Sequence, residues 1–150
     1  MIGAIIGDVV GSVYEFNNHR SKEFPLFQAN SDYTDDSVLT FATAKVLLDG
    51  GDYAATYQQF ARAYPNRGYG GRFGRWIWQE KPQPYNSFGN GSAMRVSPIG
   101  FAFADAETTL EEAKRSAQVT HNHPEGIKGA QAVALAISMA RQGEGKAAIR

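Results

Sequence analysis

The chain has 150 residues and no cysteine. That excludes disulfides, thiolate metal sites and a cysteine nucleophile, and it fits a reducing compartment. Charge of one sign is not in excess either, since 15 Lys and Arg balance 15 Asp and Glu. A general attraction to nucleic acid or to a membrane surface therefore has no electrostatic basis, although local patches stay open. There is no long hydrophobic run. The opening MIGAIIGDVVG is apolar, but it has no basic leader and Asp8 interrupts it. It reads as neither signal peptide nor membrane span, so a cytoplasmic protein without a membrane partner is expected. No strand-like alternation of useful length occurs. Neither a GxxxxGK[ST] loop nor a GxGxxG after a strand is present, which removes two common nucleotide-binding motifs.

What is present is helical patterning. Ile2, Ile5, Ile6, Val9, Val10 and Val13 follow helical spacing, which predicts a buried helix over residues 2 to about 16. Gly3, Gly7 and Gly11 recur on one of its faces, and such glycines predict a close neighbour there. Asp8, Ser12 and Glu15 form a polar stripe on the same helix. A second helix is predicted from Asp35 to Leu48, stopped by Gly50-Gly51, and a third from Asp52 to Tyr64, before Pro65. Residues 65 to 92 read as a long loop rich in glycine, broken by a short segment at Phe73–Gln79. Thr108 and Glu111 form a candidate capping box for a helix over 109–119. A last helix is predicted from Pro124, a favoured first position, to about Gly143. The fold class is all-α, and residues 1–150 read as one domain. With 43% hydrophobic residues, the composition suits a globular core.

Several clusters carry chemistry. Thr34-Asp35-Asp36 suits the first turn of a helix, where a hydroxyl and carboxylates satisfy free N–H groups and favour the dipole. The same residues also suit a hard divalent cation, because a helix start can make adjacent carboxylates converge. Glu15 is either a solvated residue at a helix end or part of a buried polar face. The turn Ser87-Phe88-Gly89-Asn90-Gly91-Ser92 is either a turn alone or a backbone cradle for an anion. His121 and His123 suit capping, and no third soft ligand supports zinc. Arg67–Trp78 mixes arginine, glycine and aromatics, a composition shared with single-strand nucleic-acid binders, with surface loops and with lids.

Four segments, GDVVGSVYEF (Gly7–Phe16), YTDDS (Tyr33–Ser37), GNGSAMR (Gly89–Arg95) and THNHPEG (Thr120–Gly126), together resemble the ADP-ribosylglycohydrolase family. The resemblance runs from Met1 to about Met139. It implies a compact multi-helix bundle that removes ADP-ribose from a modified acceptor by cleaving a bond at the anomeric carbon. It implies Mg²⁺ or Mn²⁺, two ions in a complete site, with Thr34, Asp35 and Asp36 as metal ligands. Glu15 and Asp35 become the expected catalytic carboxylates. Ser87, Phe88, Gly89, Asn90 and Gly91 become expected substrate contacts, with the diphosphate on the glycines and adenine on Phe88. His121 is expected near the adenosine ribose. The implied partner is ADP-ribose or an ADP-ribosylated acceptor.

One departure follows from composition. After Asp105 the chain has no aspartate, so the family's distal Asp-x-Asp-Thr cluster has no counterpart. The expectation is a fragment, half of a two-chain or self-associating assembly, or a metal-poor relative, exposing apolar surface and turning over little by itself. Two other functions compete: a non-catalytic ADP-ribose-binding module, and a single-stranded nucleic-acid binder using Arg67–Trp78. Neutral overall charge argues against the second.

Overall fold

The computed structural model describes residues 1–150 and contains eight α-helices, one 3₁₀ turn and no strand. They are α1 (Ile2–Gly11), α2 (Asp35–Asp49), α3 (Tyr53–Ala63), α4 (Gly71–Trp76), α5 (Gly91–Met94), α6 (Ser97–Ala102), α7 (Ala106–Gln118) and α8 (Pro124–Arg141). Most boundaries follow local chemistry. Gly50, at φ 78°, takes a left-handed conformation after α2, and its N–H bonds Val46 O. Pro124 opens α8, with His123 as N-cap.

Two apolar clusters make the core. In one, Leu39, Ala42 and Val46 of α2 meet Tyr53, Tyr57 and Ala61 of α3 and Phe73, Trp76 and Ile77 around α4. In the other, Val96 and Ile99 meet Ala113, Ala117, Ala130 and Ala134 of α7 and α8. Alanine there lets α7 and α8 approach closely. At Gly100 a Cβ would lie 2.6 Å from Ala134 O, so α6 crosses α8 backbone to backbone. Tyr57 joins the two clusters, its hydroxyl 2.9 Å from Thr43 Oγ1 and 2.8 Å from Ser116 Oγ.

The structure corrects several expectations. The N-terminal helix stops at Gly11, followed by a 3₁₀ turn at Ser12–Tyr14, and none of its residues is fully buried. A side chain added at Gly3, Gly7 or Gly11 would meet nothing within 4 Å, so no neighbour packs on that face. The cap of α7 is Asp105, which accepts from Thr108 N; the Thr108–Glu111 box does not form. Helix α6 went unpredicted. The apolar side of α1 instead forms a groove of about 700 Å³ with α2 and α3, lined by Ile5, Val9, Val38, Phe41 and Leu48 among others. Leu48 is 83% exposed there.

Candidate functional site

The two readings of Thr34-Asp35-Asp36 divide by residue. Capping falls to Thr34, whose Oγ1 accepts from Asp36 N at 3.3 Å. It is shared by Asp8, which reaches across from α1. Asp8 Oδ2 accepts from Thr34 N at 2.9 Å and Ser37 N at 3.1 Å, and from the Ser37 hydroxyl. Asp8 Oδ1 accepts the Thr34 hydroxyl proton at 2.6 Å. Asp8 is therefore structural. It binds two elements together and satisfies donors that Asp35 and Asp36 would otherwise serve.

Asp35 and Asp36 line a cavity of about 380 Å³ together with Glu15, a volume in the range of small-molecule sites. Burial, reinforced by the neighbouring charges of Asp36 and Glu15, pushes the Asp35 carboxyl up to about 7. Burial and the charges of Asp8 and Glu15 also raise Asp36. Elevation of both carboxyls marks a cluster short of positive charge. The donor set is hard oxygen, as Mg²⁺ or Mn²⁺ requires. Thr34 fits the same chemistry: its oxygen lies 3.5 Å from Asp36 Oδ2, and its single proton goes to Asp8 Oδ1. No three acidic or histidine side chains converge tightly enough to enclose an ion. The residues thus fit a divalent cation in chemistry but supply only part of its shell.

The same cavity is lined by Ser87, Gly89, Asn90, Gly91 and His121. This loop hangs from the start of α8. Tyr85 N and Ser87 N both bond Thr120 O at 3.4 Å, and Asn86 N bonds Asn122 Oδ1 at 2.7 Å. Gly126 admits the loop, since a Cβ there would lie 2.6 Å from Ser87 O. His121 is 4% exposed, with Nδ1 2.8 Å from Thr120 Oγ1. Burial, aided by the nearby Arg95 charge, pulls its pKa down to about 4. The ring is neutral at physiological pH.

The structure thus brings together Glu15, Asp35, Asp36, Ser87, Gly89, Asn90, Gly91 and His121. It does not bring Phe88 into the cavity lining. Phe88 is 72% exposed on the adjoining loop, its ring 5.3 Å from that of His123. Thr34 lines a second recess of about 490 Å³ beside Gly7 and Gly11, a recess that Glu15 and Asp36 share with the cavity. His123 takes the capping role that its position suits, its Nδ1 accepting from Glu125 N at the start of α8. Sequence reasoning missed Arg72, Tyr85 and Arg95 as cavity residues. Arg95 is fully buried, donates to Ser116 O at 2.9 Å and Thr120 Oγ1 at 3.0 Å, and lies 4.2 Å from the Tyr57 ring centre. The available signal was one arginine inside GNGSAMR followed by apolar VSPIGF.

The arginine-aromatic stretch is mostly consumed by the fold. Phe73 and Trp76 stack within the core, and Arg67 pairs with Asp32 at 2.5 Å. Trp78 alone of its three tryptophan and phenylalanine rings is exposed, beneath Arg62. No helix is long and apolar enough to cross a membrane.

A bundle of helices with paired carboxylates at one helix start and a bare glycine loop over the same cavity defines a class. The chain belongs to the ADP-ribosylglycohydrolase family, whose sequence profile matches residues 1–150. Among curated proteins it is similar to ADP-ribosylhydrolase ARH3 of Mus musculus, 32% identical over 178 residues. That match covers 95% of this chain and 48% of the relative. The Homo sapiens protein of that name is 31% identical, with 96% of this chain and 49% of the relative covered. That of Danio rerio is 28% identical, with 95% and 47% covered. The chain spans about half the length of the curated relatives it matches.

Proposed function

We propose that this chain contributes to a metal-dependent hydrolase that releases ADP-ribose from a modified acceptor by breaking the N- or O-glycosidic bond at the anomeric carbon. The observation that carries this reading is one cavity lined by both Glu15, Asp35 and Asp36 and the Ser87–Gly91 loop with His121. Asp35 and Asp36, with the Thr34 oxygen, would hold Mg²⁺ or Mn²⁺, two ions once further donors complete the shell. A bound cation supplies positive charge where negative charge develops. Glu15 orients the attacking water and accepts its proton. The Asp35 carboxylate stabilises the oxocarbenium-like transition state. Backbone N–H groups around Gly89 and Gly91 receive the diphosphate, Phe88 stacks on adenine from the rim, and His121 contacts the adenosine side. ADP-ribose and ADP-ribosylated acceptors are the proposed partners.

A binding-only reading has one observation in its favour, the absence of three converging acidic side chains. One experiment separates the two. Calorimetry measures Mn²⁺ and ADP-ribose binding to the chain, to Glu15→Gln and to an Asp35→Asn, Asp36→Asn double variant. Thr34 and Asp8 supply the cap of α2, so the fold is expected to survive while Mn²⁺ binding is lost. Release of ADP-ribose from a modified protein, abolished in Glu15→Gln with ADP-ribose binding intact, supports the hydrolase. Binding with no release in any metal supports the module. Unchanged Mn²⁺ affinity in the double variant refutes the metal assignment.

A further inference from the structure

We propose that Arg95 and Thr120 lock His121 into a single tautomer, with Nδ1 bare and the proton on Nε2, so that the ring offers a donor to an acceptor oxygen of the bound ligand. The binding half of this inference rests on the reading that His121 faces ADP-ribose. The lock itself does not.

The available protons and lone pairs decide the tautomer. A guanidinium only donates, so at the 3.0 Å contact Thr120 Oγ1 is the acceptor of Arg95 Nη2. The Thr120 hydroxyl proton then needs an acceptor of its own. Two lie in reach: Ala117 O at 3.5 Å and His121 Nδ1 at 2.8 Å. Ala117 O already accepts the backbone N–H groups of Val119, Thr120 and His121, the last two at 3.1 and 2.8 Å. A carbonyl has two lone pairs, so this one has none to spare. The proton goes to Nδ1. Nδ1 therefore carries no hydrogen, and a neutral ring must carry it on Nε2. Burial and the Arg95 charge, which depress the histidine, keep a second proton off.

The Nε2 side of the ring meets the bare glycines. A Cβ at Gly91 would lie 3.2 Å from Nε2 and one at Gly89 3.9 Å from it. A side chain at Gly91 would crowd the donor. Arg95 is a positioning residue here: it reaches the ligand through Thr120 and His121. Its burial away from any carboxylate partner is explained by this chain, together with the Ser116 O contact and the Tyr57 ring.

Nuclear magnetic resonance of the ring-¹⁵N-labelled 150-residue chain tests the lock without ligand. His19→Gln and His123→Asn variants assign the signals. The expected wild-type spectrum shows His121 only as the Nε2-protonated tautomer, with a slowly exchanging Thr120 hydroxyl proton coupled to Nδ1. In Thr120→Val the ring shifts should move toward the mixed tautomers of free neutral imidazole, and Thr120→Ser should restore them. ADP-ribose titration is expected to show about 3- to 10-fold weaker binding in Thr120→Val, the loss of one well-placed hydrogen bond, and wild-type binding in Thr120→Ser. Mixed tautomers in the wild type, or identical ring spectra in Thr120→Val and wild type, overturn the lock. A confirmed lock with unchanged ADP-ribose affinity in Thr120→Val overturns the contact between His121 and ligand.

Discussion

Replacing Asp35 with Asn is expected to stabilise the metal-free protein, and the effect should depend on pH in a defined way. The carboxyl rises from an ordinary 3.8 to about 7 in the folded chain, chiefly through burial and then through Asp36 and Glu15. Between those values the folded state holds a proton that the unfolded state has released, so stability falls as pH rises from about 4 to about 7. Above pH 7 the whole penalty is present, and below about pH 4 it vanishes. Three pK units correspond to about 4 kcal/mol at 1.36 kcal/mol each. Water reaching a half-buried carboxylate reduces this to about 2 kcal/mol. Asn at the first helical position forfeits roughly 0.3–1 kcal/mol of favourable helix-dipole interaction. The net gain of about 1–1.5 kcal/mol at pH 8 corresponds to about 3–5 °C in Tm for a chain of this size. Thermal melts in chelator at pH 4, 6 and 8 measure it. Equal stability of Asp35→Asn and wild type at pH 8, or a gap as large at pH 4 as at pH 8, would refute the electrostatic account of the cluster.

Phe88→Ala should leave Tm nearly unchanged, because the ring is 72% exposed, yet weaken ADP-ribose binding by roughly 1–3 kcal/mol in calorimetry if it stacks on adenine. Gly126→Ala places a Cβ 2.6 Å from Ser87 O; urea denaturation should show a loss of about 1–3 kcal/mol, with weaker ADP-ribose binding as the Ser87 loop is displaced. Asp8→Asn turns an acceptor-only group into one that presents N–H to Thr34 or Ser37; denaturation should show a loss of roughly 1.5–3 kcal/mol, the range for a hydrogen bond to a charged group.

The parts of the fold that could be read in the sequence are those fixed by local chemistry. Helices at Asp35, Asp52 and Pro124 begin within a residue of where capping and proline placed them. The N-terminal segment shows the limit. Its periodicity correctly marks an apolar face, but periodicity records a need for cover and not its presence. Here Ile5 and Val9 line an open groove, and the glycine face meets nothing. Helix α6 was missed because SPIGFA carries a proline and a glycine. What makes it a helix is contact with α8, which no local rule reports. Within the site, Thr34–Asp36 and Ser87–Gly91 were legible as types of chemistry. Arg95 and Arg72 were not, because nothing local says that a side chain will point into a cavity formed by residues tens of positions away.

The neutral net charge conceals a division inside that cavity. Burial and neighbouring carboxylates raise Asp35 and Asp36, while Arg72 and the buried Arg95 supply the only basic side chains in the cavity lining apart from neutral His121. A diphosphate placed against the carboxylates would face three like charges at close range, a cost that only bound cations could offset. Placed at Gly89–Gly91 it meets backbone N–H groups, the His121 donor and the field of Arg95. The polyol portion then falls beside the acids, where neutral hydroxyls can donate to carboxylates without repulsion. On the proposed reading, charge sorting would orient ADP-ribose with its diphosphate at Gly89–Gly91 and its distal ribose toward Glu15 and Asp35.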